Sequence, residues 1–187
     1  VKTGFPLPTD TLLLAESLLG CIIRRETPEG VLSGIIIETE AYTRDDPASH
    51  SFKGRTPRNA SMFLPPFYCY VYRSYGMHHC LNITSGPEGT GEAVLVRALK
   101  PLEGIGIIRR NRRGAHDTKL TEGPGNLCAA LAVDRTLDGH DLAEPPLTLV
   151  VPTPHKPLEA IRTTRVGISR AVDLPWRFRA KQQPRVR

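Results

Sequence analysis

Residues 31–42, VLSGIIIETEAY, limit the fold more than any other stretch of the chain. Ile35, Ile36 and Ile37 are β-branched and consecutive, a run that suits a strand covered on both faces. Such a strand needs a sheet to sit in and a second layer to cover it. The preceding CIIRRE, separated from it by the turn-like TPEG, supplies a first neighbour. The run then changes character. Side chains two apart on a strand face the same way, so Glu38, Glu40 and Tyr42 share one side while Thr39 and Ala41 share the other. A buried strand that ends on two carboxylates and a phenol marks the edge of a reaction site.

Other segments supply partners for that strand. Thr9-Asp10 ahead of TLLLAESLLG reads as an N-cap and a short helix stopped by Gly20. FYCYVYRSYGM alternates ring and non-ring residues, and HHCLNIT resumes a β pattern directly afterwards. This predicts a hairpin with Tyr75-Gly76-Met77 near its tip. GEAVLVRAL reads as a further strand, PLEGIGIIRRNRRG as an interrupted helix with a basic distal end, and EGPGNLCAALAV as a helix beginning near Asn126. LTLVV, RVGIS and WRFRA read as late strands, whereas the stretch containing Pro47 and GRTPRN is irregular. The expectation is a mixed α/β fold in a single domain over residues 1–187, with a curved, largely antiparallel sheet, flanking helices and a protruding β-hairpin.

Charge and cysteine usage narrow the class. The 25 Lys and Arg against 19 Asp and Glu leave a net charge of +6, common among polyanion binders but also found in basic proteins that bind none. No apolar run approaches the roughly 20 residues of a membrane span, and Val1-Lys2-Thr3-Gly4 carries no apolar signal core. A soluble, cytosolic protein with no membrane partner is therefore expected. Cys21, Cys69, Cys80 and Cys128 stand far apart with no C-x-x-C pair, which argues against a disulfide framework or a zinc ribbon and for reduced, buried thiols.

A glutamate at the mouth of a buried strand, with His50 some ten residues on, can hold and deprotonate a water. The same glutamate could equally be a solvated or ion-paired surface group, and a loop histidine commonly bonds a neighbour. A metal site drawn from Glu40, His50 and His78-His79-Cys80 fits less well, since adjacent strand residues point to opposite faces. A non-catalytic nucleic-acid-binding module would account for the charge and the rings but not for the Glu40-centred group. A lyase would need an activated amine, and only Lys53 lies near.

ETEAY, ASHS, GRTPRNASMF, YVYRSYGMHHCLNI, VLVRALKPLEG and EGPGNLCAAL, in this order and spacing, closely resemble the alkyladenine (3-methyladenine) DNA glycosylase family from about Phe5 through Ala180. The resemblance implies a monofunctional DNA glycosylase. Such an enzyme flips alkylated or deaminated purines, 3-methyladenine and hypoxanthine among them, out of duplex DNA and hydrolyses the N-glycosidic bond with water, starting base excision repair. It further implies double-stranded DNA containing damaged purines as partner, no cofactor and no metal, a monomer, and a place in a bacterial-type cytoplasm beside the nucleoid, or in the nucleus of a eukaryote.

Carried onto matching positions, the resemblance makes Glu40 the general base and puts Arg97 near the water and the target's phosphate, the alternative for Arg97 being a structural salt bridge to Glu40 or Glu38. It makes Tyr42, His50 and Tyr72 the pocket walls and Asn82 the floor residue that crowds guanine's amine. Tyr75 would intercalate with Met77 beside it, and Tyr70 would be core. Arg55, Arg58, Arg109 and Arg110 would meet the DNA backbone, where forked guanidinium donors suit phosphates. The chain departs from the family pattern at Pro65-Pro66-Phe67 and at His78, a position often aromatic.

Overall fold

The computed structural model describes residues 5–74 and 76–184. The long strand is there. Strand β1 (Ile22–Thr27) turns back into β2 (Gly30–Tyr42), thirteen residues long, and β2 forms the spine of an eight-stranded antiparallel sheet. The order across the sheet is β3 (Cys69–Ser74), β4 (His78–Ser85), β5 (Glu92–Glu103), β2, β1, β6 (Leu147–Val150). Strands β7 (Ala160–Thr163) and β8 (Arg177–Ala180) form a small extension, with β8 pairing the far end of β2. Strand β1 thus flanks the first half of β2, and β8 takes the same side at Glu38, Thr39 and Glu40.

The register between β2 and β5 shifts at Ser33/Gly34, Ile36/Glu38 and Glu38/Thr39. Bulges of this kind bend a strand and increase its twist, which curls the sheet. Contrary to the expectation of cover on both faces, only Ile36 is fully buried; Ile35 and Ile37 are half-buried. The two-residue alternation holds further along. Thr39 donates to the Ala15 carbonyl of helix α1 (Thr11–Ser17) at 2.7 Å and Ala41 lies in the core, so that face packs inward. The opposite face carries Glu38, Glu40 and Tyr42.

Helix α1 begins as read: the Asp10 side chain accepts from the amides of Leu12 at 3.0 Å and Leu13 at 2.9 Å. Two helices are shifted. PLE belongs to the end of β5, so α2 covers only Ile105–Asn111; α3 starts at Pro124, two residues earlier than expected, because proline suits the first helical turn. β3 and β4 form the predicted hairpin, closing from Ser74 to His78 with Gly76 at φ 70°. At the departure around Pro65, the chain is pinned by Thr84, which donates to the Pro65 carbonyl at 2.5 Å and accepts from the Tyr68 amide at 2.8 Å.

RVGIS is not a strand. The ladder partner of β8 is Ala160–Thr163, and residues 165–170 run as an irregular segment over the end of β2. Two causes are visible: Gly167 sits at φ 77°, outside strand geometry, and the Val166 amide is taken by a carboxylate instead of a neighbouring strand. All four cysteines are free and buried, as expected. Among the described residues, no helix is long and apolar enough to cross a membrane.

Candidate active site

The polar face at the end of β2 opens onto a cavity of about 720 Å³. One wall comes from Tyr42 and the loop that follows it, through Pro47, Ala48 and His50. The hairpin contributes Tyr70, Tyr72, Cys80 and Asn82; β5 contributes Leu95 and Arg97. Residues 166–170 close the remaining side, and Lys53 and Arg58 stand among the lining groups.

Glu40 does not line this cavity. Its carboxylate is wholly buried, one layer behind the wall, and each of the three groups bonded to it belongs to a residue that does line it. Oε1 accepts from the Val166 backbone N–H at 2.8 Å; Oε2 accepts from the Tyr42 hydroxyl at 2.9 Å and from Arg97 Nη1 at 3.3 Å. A carboxylate offers about four acceptor positions. Among the described residues three are in use, and the fourth is on Oε1.

Arg97 reaches both carboxylates of the strand, giving Nε to Glu38 Oε1 at 2.9 Å and Nη1 to Glu40. Burial works against its charge, but the carboxylates of Glu40 and Glu38 outweigh that and raise its pKa further. Glu38 serves as a hub for three arginines, with Arg177 at 2.8 Å and Arg179 at 3.6 Å in addition to Arg97.

The rings pack as a group. His50 meets Tyr72 edge-on with centroids 4.5 Å apart, and its Nδ1 bonds the Tyr70 hydroxyl at 2.8 Å. Tyr70, read as core, is indeed buried, yet it also lines the cavity and orients His50. Burial pushes the hydroxyls of Tyr42, Tyr70 and Tyr72 well above the ordinary phenol range, so all three stay protonated donors. The Asn82 amide donates to the Tyr70 carbonyl at 2.9 Å, the local backbone bond that an asparagine in a hairpin often makes, while the residue still lines the cavity.

His50 is open to solvent on one side but crowded on the other by Tyr70 and Tyr72. That desolvation, and secondarily the charge of Arg58, lowers its pKa below 6.5. The neutral imidazole is favoured accordingly. A folded pKa below the unfolded one contributes stability that is present above the unfolded value and is lost as pH falls through the folded value. In an NMR titration we expect the His50 ring to titrate below 6.5, and Arg58→Gln to move it part of the way back up; a midpoint at or above the ordinary value would contradict the crowded setting.

The remaining sequence-derived candidates divide. Arg58 joins the cavity; Arg55 is exposed, its guanidinium 5.9 Å from the Phe63 ring centroid. Met77 is 73% exposed at the hairpin tip, and Tyr75 lies outside the described residues. Arg109 and Arg110 on α2 do not line the cavity and are ion-paired at the surface with Asp117 and Glu29. Among the described residues no three His, Cys, Asp or Glu side chains converge on a metal position.

Besides the Val166 N–H on Glu40, sequence reasoning missed two contributors. Asn59 donates to the His50 carbonyl at 2.8 Å and the Gly54 carbonyl at 3.1 Å and accepts from the Thr56 amide at 2.6 Å, so it shapes the loop that carries His50. Its place in GRTPRN, a segment too irregular for any regular element, was the available signal. Arg165, paired with Asp46, had none: its partner is 119 residues away.

The model of the methylpurine-DNA glycosylase family matches residues 6–184. A protein of Rubrobacter xylanophilus that bears the provisional name 3-methyladenine DNA glycosylase is 49% identical over 161 residues, covering 86% of this chain and 84% of the other. Proteins of the same provisional name from Carboxydothermus hydrogenoformans (45% identical; 92% of this chain, 91% of the other) and Agrobacterium fabrum (50% identical; 90% and 83%) agree with it. A match of this extent, over a chain whose cavity is walled by rings and backed by a buried carboxylate, leads to one conclusion: the chain belongs to the methylpurine-DNA glycosylase family.

Proposed function

We propose that this protein removes 3-methyladenine, hypoxanthine and similar damaged purines from duplex DNA by hydrolysing the bond between base and deoxyribose. The observation that carries the reading is the Glu40 carboxylate, held by three donors from the cavity wall with one acceptor position left over. A purine that leaves its sugar leaves positive charge on the anomeric carbon. A fixed carboxylate one layer behind the wall that this carbon meets stabilises the charge, and a water admitted through that wall would give its proton to the position on Oε1 that no protein donor takes among the described residues.

Each neighbouring group has a part in the proposed reaction. The target nucleotide must leave the helix to reach Glu40, and Tyr42, His50 and Tyr72 give the extruded base flat apolar walls. Asn82 crowds the exocyclic amine of guanine and so disfavours the undamaged base. Met77 at the hairpin tip, together with Tyr75, which lies outside the described residues, fills the gap left in the stack, as bulky wedges in the minor groove do. Arg97 steadies Glu40 and faces the target's phosphate; Arg55 and Arg58 take backbone phosphates near the cavity, and Arg109 and Arg110 take more distant ones by exchanging their surface carboxylate partners. The chain works as one domain over its length and as a monomer.

The test is a duplex carrying one hypoxanthine, followed with and without alkali. We expect strand cleavage only after alkali, the signature of an abasic product. Cleavage without alkali would instead assign the chemistry to an amine such as Lys53, which lines the cavity. Retention of the duplex on a gel with no base released would reduce the protein to a binder.

A further inference from the structure

Arg165 and Asp46 have no part in the chemistry described above, yet they form the most deeply buried ion pair among the described residues, with both side chains wholly inaccessible. The guanidinium is used from several sides. It grips both oxygens of Asp46, Nη2 to Oδ1 at 3.0 Å and Nη1 to Oδ2, and Nη1 also donates to the Ala41 carbonyl of β2 at 3.0 Å. Nη2 reaches the Ala171 carbonyl at 3.4 Å. Its plane lies over Tyr42, 4.6 Å from the ring centroid, and over Trp176 at 5.2 Å.

The pair joins two cavity walls that are far apart in sequence. Asp46 organises the first, accepting from the Ala48 amide at 2.9 Å through its side chain and from the Ser49 amide at 2.9 Å through its carbonyl, on the way to His50. Arg165 begins the second, and the next residue, Val166, donates its N–H to Glu40 Oε1. Tyr42, the ring backed by the guanidinium, is a second of the three cavity residues that bond Glu40, through its side-chain hydroxyl. Two of the three donors that orient Glu40 are therefore held directly by Arg165.

Burying a charged pair is costly, and replacing it with apolar groups of similar size is often neutral or stabilising. Stability alone is thus a poor reason for the chain to keep it. We propose that Arg165 and Asp46 are positioning residues: they clamp residues 166–170 to the loop before His50, and so fix the direction in which the free acceptor position of Glu40 points. This rests on the glycosylase reading given above and goes beyond it.

Two variants test the clamp on the full chain. In Arg165→Lys the charge stays but the fork is lost. In the double variant Asp46→Asn with Arg165→Met no charge is stranded, and the introduced carboxamide still offers an oxygen to the Ala48 amide. Three quantities are read: the thermal melt, the affinity for a hypoxanthine duplex, and the single-turnover excision rate at saturating protein. For both variants we expect a cooperative melt, affinity within about threefold of the parent, and a single-turnover rate lower by about 100-fold, the scale of an ångström-level misplacement of a catalytic group. A folded double variant that excises at the parental rate would overturn the proposal. So would affinity and rate falling together by the same factor, which would show a merely architectural role. If the parent protein itself excises nothing, it is the glycosylase reading that fails, and the two failures are thereby distinguished.

Discussion

Glu40→Gln is expected to lower single-turnover excision from a hypoxanthine duplex by about 1,000-fold, within the range of roughly 100- to 10,000-fold that general acid–base catalysis contributes, while the duplex is still captured. The change is nearly isosteric but not silent. All three groups around Glu40 are donors: the Val166 N–H, the Tyr42 hydroxyl and the Arg97 guanidinium. If the new amide turns its oxygen toward Arg97 and Tyr42, its NH2 meets the Val166 N–H, donor against donor. A buried donor left unmatched costs about 1–3 kcal/mol, so the variant is expected to melt earlier as well as react slowly. Measuring melt, affinity and rate separates the two effects, because a folded, DNA-binding variant that does not excise has lost chemistry alone.

The second large effect is expected for Arg97→Met. Arg97 bridges Glu38 and Glu40, with side chains that are 12% and 0% exposed. Glu38 retains Arg177 and Arg179; Glu40 loses its only cation among the described residues. Removing one partner of a buried pair costs about 3–5 kcal/mol, and the 13% exposure of Arg97 itself argues for the lower end, about 3 kcal/mol. For a chain of this length that corresponds to a melting temperature lower by roughly 10 °C. Arg97→Lys is expected to recover part of the stability but not the rate, because a point-charge ammonium cannot serve two carboxylates with the geometry of a planar fork. A full recovery of rate in the lysine variant would mean that charge alone is required at this position.

What could be read from the chain and what could not divide along the range of the interactions. The two-residue period of a strand is local, so the shared face of Glu38, Glu40 and Tyr42 was legible, as were the Asp10 cap and the turn at Gly76. Ile35 and Ile37 misled because cover on both faces depends on which elements dock, and the bulge beside Glu38 loosens the register there. RVGIS misled for a sharper reason. Val166 and Ile168 alternate like a strand, but the amide that would have entered a ladder is bound by Glu40, 126 residues earlier. No local pattern reports a contact of that span. The same holds for Arg165 and Asp46, whereas in the β3–β4 hairpin, where partners are close in sequence, the pairing was legible and Tyr72 and Asn82 were read onto the cavity, although Tyr70, Ser74 and Cys80 line it too.

The central claim is electrostatic: a carboxylate set behind the ring-lined wall confronts the positive charge that develops on the sugar. Catalysis of this kind favours the transition state over the ground state, and a mimic of the charged sugar should be bound accordingly. The measurement is the affinity for two duplexes that differ at one site, a cationic pyrrolidine or a neutral tetrahydrofuran in place of the deoxyribose. The pyrrolidine duplex is expected to bind at least about tenfold more tightly than the tetrahydrofuran one, a preference of about 1.4 kcal/mol, and the preference is expected to vanish in Glu40→Gln. Equal affinities in the parent protein, or a preference that survives the loss of the carboxylate, would contradict the account.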